Sequence, residues 1–280
     1  ESTFDRGTFD LRDKAALELD RTKVDGFQVI AGGTPVSFTK RDEQWRMTAP
    51  LDVRADYGAV EGILGRVATA QMKAIVAENA ADLTSYGLQA PAITVHLDAG
   101  SARSTLLIGS ASPEGSLYAK DASRPMVFTL DGTLADDLKK APADFRPKDL
   151  LEFRSFTGQR FEVTRDGATL VFEKRKGEAE GAPEKWVQAQ PAKDVAEASI
   201  IDLLSTASNL RAATFVDALP PGATQVVAFK AVSDAGRREE VVTFHRLGDD
   251  VYATRAGDPG AARLAPGDLD STLQNLDALK

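Results

Sequence analysis

Glu43-Gln-Trp-Arg-Met-Thr-Ala-Pro50 and Glu184-Lys-Trp-Val-Gln-Ala-Gln-Pro191 are two versions of one phrase, 141 positions apart. They hold the only two tryptophans of the chain, each followed five residues later by a proline. Working outward, LRDKAALELD (11–20) sets beside FRPKDLLEFR (145–154), with Lys14 on Lys148, 134 positions on. At the same offset GFQVIAGGTPVSFTKR (26–41) falls on RFEVTRDGATLVFEKR (160–175), so that Phe27 meets Phe161, Gly33 meets Gly167 and Phe38 meets Phe172. Seven residues are then inserted in the second copy, within KGEAEGAPE, and near the end of each copy Tyr118 meets Tyr252, again at 134. Matches that keep their order with few gaps indicate a duplicated module of about 135–140 residues.

Each copy opens with short β-rich runs, Ala16–Asp20, Phe27–Ile30 and Val36–Lys40 in the first. Gly32-Gly33 and Asp166-Gly167 fall at equivalent points between two runs, and such pairs favour hairpin turns because they tolerate positive φ. A strand ending near the tryptophan follows, and the proline stops it because it has no N–H for the ladder. A helix comes next. Val60, Ile63, Leu64 and Val67 fall at i, i+3, i+4, i+7, and Ile200, Leu203, Leu204 and Ala207 repeat the spacing. Asp56 and Asp194 are expected N-caps, with Glu197 three after Asp194 as in a capping box. Further strands are expected at Lys73–Ala77, Ile93–Leu97, Thr105–Ile108, Ser116–Ala119 and Met126–Leu130, with counterparts at Thr214–Val216, Gln225–Val232, Glu239–His245 and Val251–Thr254. Each copy closes on a short helix, near Leu134/Leu138 and near Leu269/Leu273/Leu276. Consecutive strands with short turns favour antiparallel pairing. The class is α+β, as two similar modules at 1–143 and 144–280, each a mostly antiparallel sheet with one main amphipathic helix and a short closing helix.

The anchors of this scheme are Trp45, Pro50, Tyr86, Gly87, Leu88, Tyr118, Trp186, Pro191 and Tyr252. A tryptophan repeated at one structural spot reads first as a buried ring whose N–H finds a partner, and otherwise as an exposed ring for ligand stacking. Tyr86-Gly87-Leu88 followed by Pro91 reads as a helical turn ended by a C′ glycine with an extended exit.

Chemistry is sparse. There is no cysteine, which excludes thiolate catalysis and cysteine-ligated zinc. His96 and His245 sit inside strand-like runs, are not repeat equivalents and form no HxxxH or HxH pattern. No G-x-S-x-G, Walker A or G-x-G-x-x-G motif is present. The pairs Asp136-Asp137 and Asp249-Asp250 are neighbours in sequence and so point to different faces. A glycosidase pair assembled from distant residues stays open. The net charge of −8, and the acids flanking the bases of Glu173-Lys-Arg-Lys-Gly-Glu178, argue against nucleic acid. No catalytic, cofactor or metal residue is expected. No stretch approaches the ~20 apolar residues of a membrane span, and a chain that begins at Glu1 without methionine leads us to expect a processed or truncated N-terminus.

WRMTAP, the Val60/Ile63/Leu64 helix, LTSYGLQAP, LLIG and GSLYAK form an ordered series. It resembles the bacterial domain-of-unknown-function family numbered 4340 over most of 11–145. It returns in weaker form over 145–280, where ALPPGATQ (218–225) replaces the Tyr-Gly-Leu-x-x-Pro phrase. The resemblance implies a domain outside the cytoplasm on one N-terminal membrane helix, encoded beside ABC-2-type transporter subunits and the gliding-motility-type auxiliary protein, with no enzymatic residue to carry over. The resulting expectation is a non-enzymatic extracytoplasmic (periplasmic) accessory protein of an ABC-2-type transporter or envelope machine, anchored to the inner membrane, with the transporter subunits or the auxiliary protein as its protein partner. The alternative is a protein that holds a glycan, lipid or peptide between its modules.

Overall fold

The computed structural model describes residues 14–177 and 182–279. Residues 11–13 of the first aligned stretch, and 178–181 of the insertion with its Glu178, lie outside the described residues. The chain divides into two compact units between Arg146 and Pro147, against 143/144 expected from sequence.

The first unit runs β1 (Gly26–Ala31), β2 (Thr34–Arg41), β3 (Gln44–Ala49), β4 (Val53–Arg54), α1 (Tyr57–Ala68), β5 (Ala74–Ala77), β6 (Ile93–Ala99), β7 (Ala102–Ala111), β8 (Leu117–Asp121), β9 (Val127–Leu130) and α2 (Thr133–Leu138). The second runs β10 (Gly158–Arg165), β11 (Ala168–Lys176), β12 (Glu184–Gln190), β13 (Ala192–Lys193), α3 (Glu197–Ser208), β14 (Thr214–Val216), β15 (Thr224–Ser233), β16 (Arg238–Leu247), β17 (Asp250–Arg255), β18 (Ala261–Arg263) and α4 (Asp268–Asp277). Among the described residues each unit is one nine-stranded sheet, in the order β4-β3-β2-β1-β6-β7-β8-β9-β5 and β13-β12-β11-β10-β15-β16-β17-β18-β14, which are the same order. Every neighbour pair is antiparallel. The class is α+β with strand well in excess of helix.

Register agrees as well as order. Phe27 faces Phe38 and Phe161 faces Phe172; Tyr118 faces Thr129 and Tyr252 faces Arg263. Both hairpin turns use two successive positive-φ residues, Gly32 and Gly33 in one and Asp166 and Gly167 in the other, as a type I′ turn demands. α1 and α3 each join the two edge strands of their sheet, so each helix crosses the buried face. The stripes Val60/Ile63/Leu64/Val67 and Ile200/Leu203/Leu204/Ala207 are buried in the respective cores. Asp56 caps α1 by accepting from the Ala59 N–H at 2.7 Å.

Four expectations need correcting. Ala16–Asp20 is not a strand: Ala15 makes an isolated bridge to Gln71, and the Asp20 carboxylate accepts from the Thr22 N–H, turning the chain into a short 3₁₀ helix at Arg21–Lys23. Asp194 does not cap α3. Ala196 is the N-cap and has no side-chain acceptor, while Glu197 reaches across to the Trp186 N–H. β3 and β12 do stop before Pro50 and Pro191, but Trp45 and Trp186 stand near the start of those strands. Both X-Pro bonds are cis. β4, β13 and β18 were not anticipated, because two- and three-residue strands carry no periodicity.

No helix among the described residues is long and apolar enough to cross a membrane.

Candidate functional site

Trp45 is 2% exposed. Its Nε1–H donates to Glu61 Oε1 on α1 at 2.9 Å. The same carboxylate accepts from Arg21 Nη2 at 2.7 Å, and that nitrogen also donates to the Glu61 carbonyl. Lys40 stands directly opposite Trp45 across the β2–β3 ladder. Its Nζ lies 5.8 Å from the Trp45 ring centre and 5.7 Å from that of Tyr57, within reach of a cation–π contact. Glu43 at 3.2 Å and Glu61 at 3.7 Å neutralise it. Burial pushes the Glu61 carboxyl up, but the hydrogen bonds from Trp45 and Arg21, with the Arg21 and Lys40 charges, outweigh it and hold the carboxyl below its ordinary range.

A depressed carboxyl adds stability above its unfolded pKa of about 4.3 and loses it as pH falls through the folded value. Glu61→Gln keeps an acceptor for the indole and removes the charge. We expect it to cost about 1 kcal/mol at pH 7 and nothing once pH is below the folded pKa, read from denaturant unfolding at stepped pH. A constant difference across that range would show that charge is not what Glu61 contributes.

Trp186 is equally buried. Its indole N–H donates to the Ser155 carbonyl at 3.1 Å, and its backbone N–H to Glu197 Oε1 at 3.0 Å. Lys174, 134 positions after Lys40, stands opposite Trp186, with Nζ 5.8 Å from the ring centre. That Nζ donates to the Phe156 carbonyl at 2.7 Å. Each unit therefore builds a corner from a buried tryptophan, a lysine over its ring and a carboxylate from the helix. The wiring differs: the indole N–H meets a carboxylate in one unit and a backbone carbonyl in the other.

Of the remaining anchors, Tyr86 packs edge-on to Tyr118 with ring centres 5.1 Å apart. Gly87 ends a 3₁₀ turn with φ +67°, and a Cβ on Gly109 would lie 2.1 Å from the Tyr86 carbonyl oxygen. Leu88, the next residue, is buried. Only glycine at position 109 lets this loop lie against β7. The second unit has a shorter β14–β15 connection in its place; its Tyr252 is buried, with Oη 3.4 Å from Asp250 Oδ2.

The structure also brings together charged residues that the sequence reading did not single out. In the first unit Asp121 pairs with Arg124 at 3.0 Å, and Arg124 Nη2 donates to the carbonyls of Ala15 and Ala16. In the second unit the acid and base are exchanged. Arg255 stands 134 after Asp121, and Asp258 stands 134 after Arg124. Arg255 Nη1 donates to the Leu150 carbonyl at 3.0 Å and to Glu240 Oε1 at 2.7 Å, while its Nε lies 3.9 Å from Asp258. Either way an arginine ties the chain entering the sheet to the turn after β8 or β17.

Both histidines sit in sheet ladders, His96 Nδ1 at 2.9 Å from Thr105 Oγ1 and His245 Nε2 at 3.1 Å from Thr254 Oγ1. Burial lowers both pKa values, aided at His96 by the Arg103 charge. Among the described residues no group of three or more His, Asp or Glu side chains is placed to hold a metal ion. An open depression of 690 Å³ over β1 and β2 is lined by Asp25, Gln28, Ser37, Lys40, Asp98 and Arg103 among others. Its Asp98 and Arg103 already satisfy one another in a two-point ion pair.

A family model described as Domain of unknown function (DUF4340) matches residues 45–228. No curated protein and no solved structure matches the chain. The match is one span that starts at Trp45 and crosses the boundary between the units. It does not mark out one copy in each unit.

Proposed function

The chain belongs to the DUF4340 family, and from that premise we propose that it is a non-enzymatic interaction protein built from a duplicated α+β unit. We place it outside the cytoplasm, tethered to the inner membrane, as an accessory of an ABC-2-type transporter or envelope machine. The observation that supports a non-enzymatic role is the way the charged groups are used. Asp121, Arg124, Glu240 and Arg255 each hold the backbone of their own unit, and in the first unit the tryptophan corner closes on itself. The location and the transporter connection come from the family resemblance.

Co-purification tests the reading. The full-length protein, expressed at its native level and extracted in mild detergent, is expected to bring down ABC-2 permease or auxiliary subunits in stoichiometric amount. Recovery of the protein alone would overturn the accessory role and shift weight to a bound glycan, lipid or peptide.

A further inference from the structure

Phe156 is 76% exposed, more than any other large apolar side chain described. A mobile phenylalanine at a turn would mean little, but this turn is fixed at every residue. The Thr157 and Gly158 N–H groups both donate to the Arg154 carbonyl. The Ser155 carbonyl is held by the Trp186 indole, and the Phe156 carbonyl by Lys174. Arg154 reaches back to the carbonyls of Leu151, Phe153 and Ser208. A Cβ at Gly158 would lie 2.1 Å from the Phe153 ring, so the turn packs flush on the core. A large aromatic held out by a hydrogen-bonded base that packs on the core loses little entropy on docking, which is the profile of an interface hot spot.

The lysine beneath it points to the partner's charge. Lys40 is neutralised by Glu43 and Glu61, whereas Lys174, its counterpart, makes no ion pair among the described residues. Lys176 lies two along on the same face and makes none among the described residues either, although Glu184 stands across the ladder from it. In a chain of net charge −8 Lys174 sets a positive charge directly beside an exposed ring. The first unit presents Tyr57, 47% exposed, next to Lys40, but there the charge is already met.

We infer that the Arg154–Gly158 turn is a docking element, with Phe156 entering an apolar pocket of a partner protein and Lys174 and Lys176 meeting an acidic rim. The inference rests on the reading of the chain as an interaction protein. An anionic lipid surface shares the chemistry, but it repels a chain of net charge −8 and is held weakly by one inserted ring, since membrane binding scales with buried apolar area.

Replacing Phe156 with the photoreactive residue p-benzoylphenylalanine, in the full-length protein in its native cell, tests this. Irradiation is expected to give one protein adduct whose crosslinked peptide carries more acidic than basic residues. A probe at Leu247, exposed by 39%, serves as the control. Phe156→Ala is expected to weaken co-purification of that partner about thirtyfold, the lower bound of an aromatic hot spot. Lys174→Gln, which keeps a donor for the Phe156 carbonyl, is expected to lower the adduct yield. Adducts no stronger than at Leu247, adducts to lipid or to a second copy, or a crosslinked peptide without acidic excess would each overturn the inference. If transporter subunits still co-purify while Phe156 gives no adduct, the docking element is wrong and the accessory role stands. If neither occurs, both fall.

Discussion

Trp45→Ala and Trp186→Ala will each lower the unfolding free energy by about 3–5 kcal/mol, the cost of deleting a buried large aromatic. Both rings are 2% exposed and sit where a sheet meets its crossing helix. Phenylalanine at the same positions separates the ring from its N–H. Trp45→Phe removes a donor to Glu61, a charged acceptor, and is expected to cost about 1.5–3 kcal/mol. Trp186→Phe removes a donor to the Ser155 carbonyl, a neutral acceptor, and is expected to cost about 0.5–1.5 kcal/mol. Urea unfolding of the four variants tests both the size and the order. Losses under about 1 kcal/mol for the alanine variants would mean that the rings do not carry the cores, and would restore the ligand-stacking reading of the tryptophans.

Those rings were also what made the architecture legible. A tryptophan and a proline five apart, met twice, set the frame, and the offset of 134, or 141 past the seven-residue insertion, marks out pairings that the two sheets share. Phe27 with Phe38 has its counterpart in Phe161 with Phe172, and Lys40 with Trp45 in Lys174 with Trp186. Patterns of period 2 and 3.6 are local, so strands and helices show in a single pass along the chain. What failed was decided by contacts distant in sequence or by single side chains. Asp20 bent an expected strand into a turn. Glu197 read as a capping residue, yet its carboxylate is taken by a strand N–H eleven positions back.

The least legible feature was the exchanged Asp/Arg pair. Asp121-x-x-Arg124 and Arg255-x-x-Asp258 share no letter at either position, so an alignment by identity scores them as mismatches. Physically they are one device, because either order leaves an arginine beside the incoming chain. Arg124 makes contact 108 positions away and Arg255 makes it 105 positions away. No local pattern reports such a contact. The exposed Phe156 was equally silent, since a phenylalanine in a β-rich stretch reads as core until the fold shows which way the turn faces.

Arg255→Ala is the second large effect. The Glu240 side chain is 1% exposed. Without Arg255 its carboxylate retains the Glu152 N–H at 3.0 Å and, among the described residues, no cation, while its Oε2 already lacks a partner among them. Breaking a buried ion pair from one side costs about 3–5 kcal/mol, because the remaining charge stays buried. The double variant Arg255→Met/Glu240→Leu removes both charges and is expected to recover most of that loss, although it gives up the tie to the Leu150 carbonyl. Arg124→Ala is expected to cost less than Arg255→Ala. Asp121 keeps hydrogen bonds from the Ser123 N–H and hydroxyl at 2.9 and 2.7 Å, so its charge remains solvated by the protein. Denaturant midpoints of the three variants decide the matter. If Arg255→Ala and the double variant were equally unstable, the lost tie to the entering chain would outweigh the stranded charge. Arg124→Ala should then be as damaging as Arg255→Ala, since it cuts the same tie in the other unit.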